Sequence, residues 1–204
     1  SDTAGKVDLF NSEGIKVMEI DAPSSFDGLS SMVNDIYPVV VLNRTYSSER
    51  KRFTALHELG HLVLNFPEDI SEKDEEHYCH LFANEMLIPE MIFKNIIGNS
   101  RHDISYQELK AIQLRYGISC DALMYKAKSC GIISDQRYKT YCIQKNRNPV
   151  FKNMVEKSIY PQEESLRFTS LVYKALSNEL ITVSKAASLL HQNVEQVRED
   201  LALV

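Results

Sequence analysis

Three things that would assign this chain to a class at once are missing from it. There is no excess of basic charge: 23 Lys and Arg against 28 Asp and Glu leave a net charge of −5. That excludes the global basic footprint of a nucleic-acid-binding domain, though a local patch stays open. No apolar run approaches the length of a membrane span and no signal peptide opens the chain, so neither a membrane partner nor export is expected. The four cysteines (Cys79, Cys120, Cys130 and Cys142) form neither a Cys-x-x-Cys pair nor a small secreted framework. Reduced thiols and a cytoplasmic location follow as expectations. Internal repeats and low-complexity segments are absent as well. Ser1 stands where an initiator methionine would, so further sequence upstream is expected.

What remains is ordinary in bulk and unusual in one place. The 204 residues are 44% hydrophobic and 25% charged, enough for one medium domain, or a domain with an appendage. Four of the six histidines fall between His57 and His80, and the tightest part reads His57-Glu58-Leu59-Gly60-His61. On a helix, residues four apart lie one turn above each other on one face, so both imidazoles can aim at a single metal ion. Glu58 then borders the site without ligating, where a carboxylate must be to take a proton from activated water.

The surroundings of this motif read as a small sheet followed by helices. Residues 1–13 are polar and are expected to lack regular structure. Gly14–Ile20 alternates apolar and polar positions, and Leu29–Val33 and Pro38–Asn43 read as further strands. From Ser47 or Ser48 to Phe66 the spacing becomes helical, with Ser48 as the expected N-cap and Pro67 as the stop. Gly60 costs this helix about 1 kcal/mol relative to alanine, which suggests that another backbone must pass close by. A second helix starts near Ser71 amid acidic residues, presents a core stripe of Tyr78/Cys79, Phe82 and Met86, and closes at Pro89. Helices over 90–97, 106–116, 120–130 and near 135–144 follow, with Ser105 and Ser119 as caps and Gly117 and Gly131 just past helix ends. The polar stretch Lys145–Pro149 marks the expected boundary between a metal domain, 1–146, and a helical extension, 147–204. The extension should hold helices over 164–176, 183–190 and 194–203.

Two histidines do not hold zinc; a third protein ligand is required. Glu75, Glu76, His77, Cys79 and His80 on the second helix are the candidates, and Glu76 lies on the flank of the core stripe. Here the residues resemble a known family. Arg52-Phe-Thr-Ala-Leu-His57-Glu-Leu-Gly-His61, then Glu76-His-Tyr-Cys-His-Leu-Phe82-Ala83 and onward to Leu87-Ile88-Pro89, looks like the ImmA/IrrE family of metallo-endopeptidases. The resemblance implies an α+β fold in which a small antiparallel or mixed sheet packs with a zincin-type helix and its successors, with an all-α extension behind. It implies that Glu76 is the third ligand beside His57 and His61, that the metal is zinc (with manganese as another option), and that Glu58 is the catalytic carboxylate. It departs from the family pattern at Cys79, where alanine is usual, and at His80, where asparagine is usual. His80 is thus expected behind the ligands as a hydrogen-bonding residue, with an extra-ligand role as the alternative. The substrate implied is a helix-turn-helix transcriptional repressor. Tyr106, His102 and Tyr116 are available to stabilise an oxyanion, and nothing in the sequence selects among them. Residues 181–198 also have the look of a helix-turn-helix, so a non-catalytic DNA- or protein-binding regulator is the competing reading. Glu195, Glu199 and Asp200 make its second helix acidic, which opposes phosphate contact.

Overall fold

The structure is a computed structural model and describes residues 14–163 and 167–202. Residues 1–13, expected to lack regular structure, and the expected helix ends at 164–166 and 203 lie outside the described residues. The three stretches read as strands become β1 (Lys16–Ile20), β2 (Gly28–Val33) and β3 (Tyr37–Asn43). They form a mixed sheet in the order β1-β3-β2, with β1 parallel and β2 antiparallel to β3. The register sets Val17 and Ser30 on either side of Val40, all on the face covered by helix. Along that face Val17, Val40 and Leu42 are buried. Asn34 and Asp35 turn β2 into β3 in the left-handed region, with φ of 53° and 54°. These two residue types tolerate that region because their short polar side chains bond locally. Asn43, fully buried at the end of β3, reaches the carbonyls of Ala22, Pro23 and Phe26 and so pins the β1–β2 connection.

Helix α1 (Ser48–Val63) crosses the sheet, and α2 (Glu72–Leu87) packs along it. The cap of α1 is Ser47, whose hydroxyl accepts from the Arg50 amide; Ser48 is the first helical residue, buried beneath another segment. The helix also stops at Val63 rather than Phe66. Pro67 forces its predecessor out of the helical region, and the chain is already extended at Leu64 (ψ 134°). Gly60 meets the expectation drawn from it. A Cβ there would lie 3.2 Å from the Cα of Cys79, so α1 and α2 touch at that point. The buried line of α2 is Cys79, Ala83 and Leu87, whereas Tyr78 and Met86 are about half exposed. Of the stripe read from the sequence, Cys79 is buried and Phe82 packs against the core, while Tyr78 and Met86 turn outward; the small Cys79 lets α2 lie against Gly60.

The remaining helices are α3 (Glu90–Ile97), α4 (Tyr106–Tyr116), α5 (Cys120–Ser129), α6 (Asp135–Arg147) and α7 (Pro149–Glu156). Ser105 and Glu108 close a capping box on α4, Ser119 caps α5, and Gly117 and Gly131 take positive φ as expected. Phe93, Leu123, Met124 and Ile132 complete the core with the sheet and α1. That core takes in Phe151 and Val155 of α7, and Asn148 caps α7 directly after α6. A second cluster joins α8 (Arg167–Ser177), α9 (Val183–Leu190) and α10 (Val194–Ala202) around Val172, Ala186 and Val197. A small mixed sheet with ten helices among the described residues is the α+β architecture expected.

Residues 157–163 run without regular structure across the start of α1 and are bound there by polar side chains. The Glu163 amide donates to Ser48 Oγ at 2.6 Å, and Lys51 Nζ donates to the Glu163 carbonyl at 2.7 Å. Ser158 Oγ donates to the buried Glu49 carboxylate, which also accepts from Gln113 Nε2 at 2.6 Å. Arg52 reaches the Tyr160 hydroxyl and pairs with Glu163 at 3.4 Å. The arginine of the Arg-Phe-Thr segment thus anchors this crossing strap, with its guanidinium away from the histidines.

Candidate metal centre

His57 and His61 lie on one face of α1, one turn apart, with their Nε2 atoms 3.2 Å from each other. Glu76 of α2 comes to both: Oε2 is 3.1 Å from His57 Nε2, and Oε1 is 3.3 Å from His61 Nε2. Four donors at about 2.1 Å from a tetrahedral zinc would stand about 3.4 Å apart, so the spacing is that of a ligand set. The placement of protons points the same way. His61 Nδ1 lies 3.1 Å from Glu75 Oε1, a carboxylate that can only accept, so that nitrogen carries the hydrogen. In the neutral ring, Nε2 then offers a lone pair to the lone pairs of the Glu76 carboxylate. Only a proton or a cation between them relieves that repulsion, and His57 Nε2 faces the same point. The residues present fit a divalent cation with nitrogen and oxygen ligands. Among the described residues, His57, His61 and Glu76 are the one group of three such donors close enough to share an ion.

Burial lowers the pKa of His57, and the charge of His80 adds to that effect while Glu76 opposes it. Burial thus favours the neutral form of the metal-free ring, the form that ligates. Its Nδ1 is buried without a hydrogen-bond partner. Packing orients the ring instead: Phe53 stacks on it at 6.4 Å between centroids, and His80 lies against it at 4.5 Å. His80 itself donates from Nδ1 to the Glu76 carbonyl at 2.7 Å, one turn back along α2. It lies against the donor set and is not among the three converging residues.

Glu58 stands beside the cluster, and its Oε2 accepts a 2.8 Å hydrogen bond from Ser30 Oγ of β2. Sequence reasoning missed Ser30. Nothing local marks it; only the strand register turns it toward α1. The approach of β2 is set at Gly28, where a Cβ would come within 2.6 Å of Thr54 Cγ2 and 2.8 Å of the Val41 carbonyl. So Arg52 ties α1 to the strap, Phe53 stacks on the histidines, and Thr54 seats the helix on the sheet. Of the oxyanion candidates, the Tyr106 hydroxyl donates to the Met154 carbonyl, and His102 lines a separate open cleft with Arg101 and Arg137. His77 is exposed and rests beside Tyr78.

No helix among the described residues is long and apolar enough to cross a membrane. The Peptidase_M78 family model, described as the IrrE N-terminal-like domain, matches residues 10–128. No curated protein sequence matches the chain. The matched segment spans all three strands, both helices that carry the donor set, and the packing beneath them. The chain belongs to the family of IrrE N-terminal-like metallopeptidases.

Proposed function

We propose that the protein is a zinc-dependent endopeptidase in which His57, His61 and Glu76 hold the metal and Glu58 is the general base. The observation that carries this reading is the convergence of two imidazole nitrogens and one carboxylate within 3.1 to 3.3 Å, with a second carboxylate alongside. A bound zinc ion (or manganese in the same donor set) supplies Lewis acidity, acidifying water towards a pKa of about 7 and polarising a carbonyl. Glu58 takes a proton from the attacking water on Oε1, since Ser30 already donates to Oε2. The oxygen of that water bonds to the carbonyl carbon, the C–N bond breaks, and Glu58 returns the proton to the leaving amine nitrogen. His80 and Phe53 keep the His57 ring in place during these steps. The substrate proposed is a protein, specifically a helix-turn-helix transcriptional repressor whose cleavage releases mobile-element, stress or defence genes. That assignment rests on resemblance to the family. Residues 147–204 are proposed as a helical extension that packs on the metal domain or a partner; Glu195 and Glu199 on α10 weigh against DNA.

Metal content decides the first half of the reading. After zinc loading and desalting, the wild type and Glu58→Gln should hold about one zinc per chain, while His57→Ala and Glu76→Ala should hold none. Incubation with candidate helix-turn-helix repressors from the same genome should give cleavage of one of them by the wild type and by none of the three variants. A wild type that retains no metal ends the hydrolase assignment.

A further inference from the structure

We infer that Glu75 is a positioning residue for the metal: it accepts the Nδ1 hydrogen of His61 and thereby aims Nε2 at the ion. The inference rests on the proposed metal site and extends it to a residue that does not ligate. Glu75 and Glu76 are consecutive on α2, and each takes one nitrogen of the same imidazole. Glu75 Oε1 lies 3.1 Å from Nδ1 and Glu76 Oε1 lies 3.3 Å from Nε2. Since the two ring nitrogens face opposite ways, a carboxylate on Nδ1 stands behind the ring and away from the ion. Glu75 is therefore excluded as a ligand by the contact that gives it another task.

The two histidines differ in how much they need such a tie. The His57 side chain is 12% exposed and is held between Phe53 and His80, with no hydrogen bond to its Nδ1. His61 is 21% exposed, and α1 ends two residues later at Val63. Helix ends fray first, and a ring there has less packing to fix it. A carboxylate hydrogen bond fixes the tautomer, fixes the ring plane, and raises the basicity of the ligating nitrogen. It also couples the two helices: α2 sends one acid to the ion and its neighbour to the ring that α1 contributes.

The test is zinc affinity, measured by competition with a chromophoric chelator on the full chain, with thermal melting of the metal-free proteins beside it. Glu75→Ala should bind zinc about 10- to 100-fold more weakly than the wild type while the metal-free melting temperature stays the same. Glu75→Gln keeps an acceptor at the same place and should recover most of the affinity. Glu72→Ala, which removes a carboxylate from the first turn of the same helix, should bind like the wild type. In the cobalt-substituted protein, Glu75→Ala should shift the visible ligand-field bands. Wild-type affinity in Glu75→Ala would overturn the inference, and so would a complete loss equal to that of His61→Ala, which would make Glu75 a ligand. Equal weakening in Glu75→Ala and Glu72→Ala would reduce the effect to net charge and overturn it too. A wild type without zinc would instead remove the site itself, a separate failure.

Discussion

Replacing Gly60 with alanine should harm the metal site more than the fold. The added Cβ would meet Cys79 at 3.2 Å from Cα, 3.2 Å from Sγ and 3.3 Å from Cβ. Carbon atoms settle about 3.5 to 4.0 Å apart, so α2 must retreat by about 0.3 Å or more. The first of these neighbours is backbone in the middle of a helix, and no change of rotamer relieves that clash. Overpacking of this kind costs about 1–3 kcal/mol, while exchanging glycine for alanine inside a helix returns about 1 kcal/mol. The expected net loss is thus small, about 0–2 kcal/mol. Glu76 lies one turn before Cys79 on the same helix, so the retreat draws its carboxylate away from both rings. Metal–ligand distances tolerate only about 0.2 Å, so zinc affinity should fall on the order of tenfold or more. Urea unfolding of chelator-treated protein measures the first quantity and chelator competition the second. Adding Cys79→Ala removes the sulfur clash alone and should restore only part of the loss. Stabilisation of Gly60→Ala by about 1 kcal/mol with zinc affinity unchanged would show that α2 does not retreat.

Three further outcomes follow from other parts of the molecule. Arg52→Ala should cost up to about 3 kcal/mol in urea unfolding, the lower end for a broken buried pair, because Glu163 keeps 19% exposure. Ser30→Ala should leave zinc affinity as it is and slow cleavage, since Glu58 loses the donor on Oε2 that holds its carboxylate; equal rates in a repressor digest would contradict this. Tyr173 donates to Asp200 at 2.7 Å, which holds the Asp200 pKa below its ordinary 3.8, with Gln196 assisting, and pushes the Tyr173 hydroxyl up to about 12. The lowered carboxyl contributes stability that is complete above its unfolded pKa and lost as pH falls through the folded value. The raised hydroxyl contributes stability that is complete below pH 10 and lost towards 12. Melting of α8–α10 should therefore be flat between those limits and fall at both ends, and Tyr173→Phe should flatten both arms.

The sequence by itself determined what is local. Helical spacing set His57 and His61 on one face, serine caps and glycine ends fixed most helix limits, and alternation in β1 and the β-branched run of β3 marked the sheet. Gly60 even announced a close neighbour, because a glycine in a helix interior has a cost that something must offset. Only the tertiary structure decided which residues meet across elements. The resemblance singled out Glu76 and gave its neighbour Glu75 no task; the packing of Cys79 on Gly60 sets the rotation of α2 that brings Glu76 to Nε2 and Glu75 to Nδ1. The same packing turned Tyr78 and Met86 outward against the reading of the stripe. Ser30 reaches Glu58, and Arg52 reaches a strap more than a hundred residues away, through strand register and chain crossing. Neither leaves a mark on neighbouring positions, because periodicity reports which face of an element is buried and carries no information on what is buried against it.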